Sequence, residues 1–142
     1  MGRIKRAFTL IELVFVIVVL GILATIALPK LGGAMDEAQI SNAKSTVTAI
    51  RSGLQVYKNR HILLGQDPYP SALENDSSKL FSNVLPHPIT PSTNPGGWSK
   101  EGNYYIFHAN QGKIAFSYNK DTGEFSCIEG TPTTVEGACK NF

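Results

Sequence analysis

The run Phe8–Leu28, FTLIELVFVIVVLGILATIAL, carries one charged residue, Glu12. At about 1.5 Å per residue a helix of this length covers about 32 Å, the thickness of a bilayer's hydrocarbon core. It predicts a membrane-spanning helix. Past Pro29 the pattern changes. Ile40, Ala43, Val47, Ile50, Leu54 and Tyr57 recur at alternating spacings of three and four. That period places them on one apolar stripe of an amphipathic helix. Asn42, Lys44, Ser45, Thr48, Arg51, Ser52, Gln55 and Lys58 fall on the opposite face. The helix is expected to stop near Leu64, with Gly65 as the terminating residue. Continuous from Phe8, it would be about 80 Å long.

Gly21 and Pro29 bracket a helix-weak stretch, GILATIALP. Proline lacks a backbone donor and crowds the preceding turn, and glycine lowers helix propensity, so a kink is expected between them. From Gln66 to Pro95 lie six of the eight prolines, which predicts loop. Two short helices are expected inside it. One is Ser71–Asn75, with Ser71 as cap and Glu74 three residues on, and the other is Ser77–Val84. The last third alternates strand and turn: Asn103–His108, Lys113–Tyr118 and Glu124–Ile128 are strands, with turns at Ala109–Gly112 and Asp121–Gly123. The fold class is therefore α+β, a long N-terminal helix whose amphipathic half packs on a small C-terminal antiparallel sheet. The organisation reads as residues 1–7 leader, 8–29 apolar helix, 30–64 amphipathic helix, and 65–142 loop-rich region and sheet.

Charge sharpens this picture by its location. The chain has 13 Lys and Arg against 11 Asp and Glu, but Arg3, Lys5 and Arg6 all precede the apolar run. Without Met1–Ala7 the formal net charge is −1. Such a chain offers no electrostatic footprint for nucleic acid, so no direct nucleic-acid binding is expected. The positive-inside tendency keeps the leader cytoplasmic and puts the C-terminal head across the membrane. Cys127 and Cys139 then sit in an exported compartment, where one disulfide fits them; two free thiols are the alternative.

No reactive constellation stands out, and neither a metal nor a cofactor is expected. Gly97-Trp98-Ser99-Lys100-Glu101 starts like a nucleophile elbow but lacks the final glycine. His61, His87 and His108 are scattered without metal-ligand spacing. Glu101, Asp121, Glu124 and Glu129 read as solvated surface acids, with oxygen ligation of calcium as the alternative. Trp98, Tyr104, Phe107 and Phe116 read as core or edge packing.

Glu12 decides among the readings of the N-terminus. A carboxylate at mid-membrane costs about 2.5–3.5 kcal/mol on insertion scales, less near the interface, so it implies a partner. A plain anchor supplies none, and an ordinary signal peptide fits poorly because the apolar run Leu13–Leu28 is 16 residues long and Thr25 and Ala27 make only a weak cleavage site. The run A-F-T-L-I-E-L, Ala7–Leu13, behind a basic leader and ahead of an unbroken apolar run and Pro29, resembles the processing site of type IV pilins and type II secretion pseudopilins. Ala7 stands where that family usually carries glycine. The resemblance implies that a prepilin peptidase cuts between Ala7 and Phe8 and methylates the new amino terminus. It implies that Glu12 pairs with that ammonium during filament assembly, and that Gly21 and Pro29 mark a stretch able to unwind as subunits pack. The implied partners are further copies of the chain, minor pilins or pseudopilins, the peptidase, an inner-membrane platform and membrane lipid. The implied location is the inner membrane with a periplasmic head, then a periplasmic or surface filament. The implied role is a structural subunit in protein secretion or a related envelope process, not an enzyme. A competence pseudopilin for DNA uptake is the alternative, and a membrane-anchored binding domain or enzyme a more distant one.

Overall fold

The computed structural model describes residues 8–130 and 137–142, without the side chains of residues 27–34. The leader, residues 1–7, lies outside the described residues. One helix dominates: α1, Leu10–Leu63, is 54 residues long. Thr9 caps it, its hydroxyl oxygen accepting the Glu12 N–H at 3.3 Å. The helix continues through Gly21 and Pro29, and neither residue ends it. Its C-terminus closes as expected at Gly65, whose φ of 67° is the left-handed conformation that glycine adopts without strain. Gly65 N–H donates to the Ile62 carbonyl at 3.1 Å and Gln66 N–H to the His61 carbonyl at 2.9 Å. Those two bonds satisfy carbonyls that the helix end leaves without an intrahelical partner.

The chain divides into two compact units, residues 1–35 and 36–142. In the second, the predicted stripe forms the helical side of the core. Ala43, Val47, Ile50 and Leu54 are buried, and Ile40 and Tyr57 half-buried at its ends. The hydroxyls of Ser45, Thr46 and Thr48 donate to carbonyls four residues earlier at 3.0, 3.0 and 2.9 Å, so each finds its partner within the helix itself.

Among the described residues four strands form one antiparallel sheet in chain order: β1 Trp98–Glu101, β2 Tyr104–Ala109, β3 Gly112–Asn119 and β4 Glu124–Cys127. The three predicted strands are β2 to β4, shifted at their ends by a residue or so. β1 is an addition, paired to β2 with Trp98 opposite Phe107. Asn110 and Gln111 form the two-residue link between β2 and β3, with Ala109 opposite Gly112. Asn119 organises the next turn, its side chain accepting the Asp121 N–H at 2.9 Å.

The segment from 66 to 95 departs from expectation. Neither Ser71–Asn75 nor Ser77–Val84 is helical. The Glu74 carboxylate turns into the head and does not cap a helix. The Asp76 carboxylate accepts the Ser78 N–H at 2.9 Å, a local turn that competes with helix. Leu80 instead bridges Ile89 in antiparallel fashion. The loop then plugs the core: Leu73, Leu80, Phe81 and Val84 are buried with the helix stripe and with Trp98, Tyr105, Phe107, Ile114, Phe116 and Phe125. Phe81 takes a φ of 62° to do so. Its ring meets Trp98 edge-on at 5.6 Å between centroids.

Candidate assembly surfaces

The first unit presents an apolar surface. From Phe8 to Ile26 every large apolar residue is well exposed, from 37% at Val19 to 82% at Leu10. Fully burying one such side chain is worth about 1.5–3 kcal/mol, so a surface of this extent demands cover by lipid or by other apolar helices. Among the described residues no helix is long and apolar enough to cross a membrane. The described side chains of the apolar run end at Ile26, before its last residues.

The predicted site residues fall as follows. Ala7 lies outside the described residues. Phe8 is exposed immediately ahead of Thr9, and Glu12 lies in the first turn of α1. An acid there also complements the partial positive charge of the helix N-terminus, a role not anticipated from the sequence. Gly21 is exposed, with nothing within 4 Å of where a Cβ would stand. Pro29 lies within the α1 backbone, and its side chain is outside those described. Cys127 and Cys139 are joined as a disulfide, with Cα atoms 5.5 Å apart, tying the C-terminal segment to β4.

The second unit holds two polar arrangements that the sequence reading missed. Glu74, its side chain 5% exposed, receives the Tyr105 hydroxyl and forms an ion pair with Lys100. Burial, and then the neighbouring Glu74 charge, hold the Tyr105 phenol far above the ordinary tyrosine range. Arg51, assigned to the wet face, reaches the far end of the chain. Its Nε donates to the Phe125 carbonyl at 3.1 Å and its Nη1 to the Phe142 carbonyl at 3.3 Å.

At the start of the head helix a groove of about 560 Å³ is lined by residues that include Asp36, Glu37, Ile40, Lys44, Ile114 and Ala138. Asp36 accepts hydrogen bonds from the side chains of Asn110 and Gln111, both at 2.8 Å. These bonds hold its carboxyl below the usual aspartate value. Among the described residues no group of three or more His, Cys, Asp or Glu stands ready to hold a metal ion.

Comparison with known proteins gives a consistent picture. Residues 2–28 match the family described as the prokaryotic N-terminal methylation motif. The type II secretion system core protein G of Escherichia coli is 32% identical over 108 residues, covering 72% of this chain and 70% of that protein. Its Pseudomonas aeruginosa counterpart is 33% identical over 100 residues, 70% of this chain and 63% of that one. The type IV narrow pilus major component PilA5 of Thermus thermophilus is 43% identical over 115 residues, 81% of this chain and 87% of that one. No solved structure matches the chain.

Proposed function

This chain belongs to the family of type IV pilins and type II secretion pseudopilins, structural subunits, and on that premise we propose that it is a filament subunit made as a precursor. In this reading a prepilin peptidase removes Met1–Ala7 and methylates the amino group of Phe8. The single observation that carries the proposal is the exposed apolar surface from Phe8 to Ile26, interrupted by Glu12 in the first turn of its helix. Lipid covers that surface before assembly, and the same helices of neighbouring copies cover it afterwards. A single-pass topology, with the leader cytoplasmic and the head exported, agrees with the three bases of the leader.

Cutting before Phe8 creates an α-ammonium, largely protonated at neutral pH given a reference pKa of about 7.7–8.0. Glu12 lies one helical turn away in sequence and is the natural counter-ion in an apolar filament core. Gly21 and Pro29 then provide a stretch of low helix propensity able to unwind as helices pack. In this reading the surfaces of the head serve other subunits and, in a secretion filament, the exported cargo. Intact-mass and N-terminal peptide analysis of the protein from its native cells tests the processing step. A mature start at N-methylated Phe8 is expected. A start at or beyond Leu28 would return the chain to ordinary signal-peptide processing.

A further inference from the structure

The head helix carries two unlike surfaces at its two ends. At its C-terminal end Val56 and Leu63, seven residues apart and so on one face, are 68% and 86% exposed, and Ile62 and Leu64 beside them are exposed too. Arg60 and His61 are interleaved with them, and Asp67 is the next acid along the chain. At the other end is the groove already described, with Asp36 and Glu37 on its rim and Ile40, Ile114 and Ala138 among its walls. Lys44 is the base among its described lining residues. Asp36 is held in place by Asn110 and Gln111, so the rim's negative charge is fixed on the β2–β3 link. One end is apolar and mainly basic; the other is concave, partly apolar and mainly acidic.

We propose that the tip of one copy's head helix, Val56 to Leu64, docks into the Asp36–Glu37 groove of the next copy. Leu63 enters the groove and Arg60 meets the acidic rim. The occupant is a second copy of this chain because tip and groove complement each other in charge and in apolar character and belong to the same molecule. They are separated by about 40 Å of helix, from Asp36 to Leu63 at about 1.5 Å per residue, so neither copy can satisfy both of its own surfaces. A contact between two different patches is heterologous and leaves a free tip and a free groove at the ends of every assembly. Repeated without closing into a ring, it propagates an open filament. The inference rests on the filament-subunit reading and adds to it the head-to-head contact.

The test uses the full chain expressed in its native envelope. Leu63→Cys combined with Ser41→Cys, an exposed residue lining the groove, should give a covalent ladder in sheared filaments that reductant dissolves. Neither single variant should give it. As a second measurement, Arg60→Glu should lower filament yield about tenfold, a loss corresponding to about 1.4 kcal/mol, and Glu37→Lys in the same chain should restore it. Filaments from the double-cysteine variant without a ladder, an adduct to a different protein, or a charge swap that fails to recover yield would each overturn the contact while leaving the subunit reading standing. Absence of filaments from the unaltered chain would overturn that reading and the contact with it.

Discussion

The hydroxyl of Tyr105 on β2 lies 3.1 and 2.9 Å from the two carboxylate oxygens of Glu74, a residue of the loop that precedes the sheet. Lys100 of β1 completes the arrangement as an ion pair. Loop and sheet are therefore locked by a buried charge that has both a donor and a counter-ion. Removing one partner from a buried polar pair leaves the other's desolvation uncompensated, at about 1–3 kcal/mol. Tyr105→Phe should cost the protein that much. Glu74→Ala should cost at least as much, because it strips both Tyr105 and Lys100 of their partner. Denaturant unfolding of the full chain in detergent, followed by the fluorescence of Trp98 in the adjoining core, measures both. Wild-type stability in Tyr105→Phe would show that the hydrogen bond contributes nothing.

Gly53 poses a contest of signs. Helix propensity alone predicts that Gly→Ala inside α1 stabilises by about 1 kcal/mol. Yet a Cβ at Gly53 would run into the backbone carbonyl of Val84, where the core-plugging loop lies against the helix. Backbone gives way less readily than a flexible side-chain end, and overpacking typically costs about 1–3 kcal/mol. Gly53→Ala should therefore lower the midpoint of thermal unfolding, and Gly53→Ser should do the same. A raised midpoint would mean that the loop is not held against the helix as described.

His108 supplies a pH dependence. Its Nε2 lies 2.8 Å from the Ser99 hydroxyl in a buried pair across β1 and β2. Burial, followed by the Lys113 charge, lowers its pKa below the ordinary histidine value, with Glu101 opposing. A depressed folded-state pKa means that the unfolded chain takes up the proton first. The stabilising effect is thus complete above the unfolded value of about 6.5 and fades as pH falls through the folded one. The head should be less stable at pH 5 than at pH 7.5, and His108→Gln should shrink that difference. Melting curves at the two pH values check it; an equal difference in the variant would assign the acid sensitivity elsewhere.

Legibility followed periodicity. The stripe from Ile40 to Tyr57 could be read because its three-four spacing has one geometric meaning, and Gly65 because a helix end needs a left-handed residue there. β2 and β3 were legible as short runs rich in aromatic and aliphatic residues, YYIF and IAFSY, around a short turn. β1 was not: in Trp98–Glu101 the side chains of Ser, Lys and Glu dilute the apolar signal, and pairing along β2 makes it a strand. The two short helices were misread for a related reason. Ser71 and Glu74 have the spacing of a capping box, but long-range partners, Tyr105 and Lys100, claim the carboxylate. Nothing in the sequence marks Gly53 apart; the approach of the Val84 carbonyl shows what it makes room for. Arg51 read as a wet-face residue because its carbonyl partners lie on β4 and at the chain's last residue.

The strongest consequence of the proposed function falls on Glu12. In the described helix it occupies the first turn, after Thr9, where interaction with the helix N-terminus is worth about 0.3–1 kcal/mol. If that were its whole purpose, Glu12→Ala would weaken the helix slightly and ease its entry into a membrane, where a carboxylate is costly. The filament reading predicts something else. The variant should insert and be cut before Phe8, yet assemble poorly. The charged amino terminus would then enter the apolar filament core without its counter-ion. Breaking one half of a buried pair typically costs about 3–5 kcal/mol. The penalty recurs at every subunit, so polymer yield should collapse while the monomer level in the membrane holds. Expression beside the wild type, mass analysis of the amino terminus, and quantitation of sheared filaments decide it. Normal filament yield from correctly cut Glu12→Ala would refute its role as counter-ion in assembly and leave it an acid that only complements the helix N-terminus.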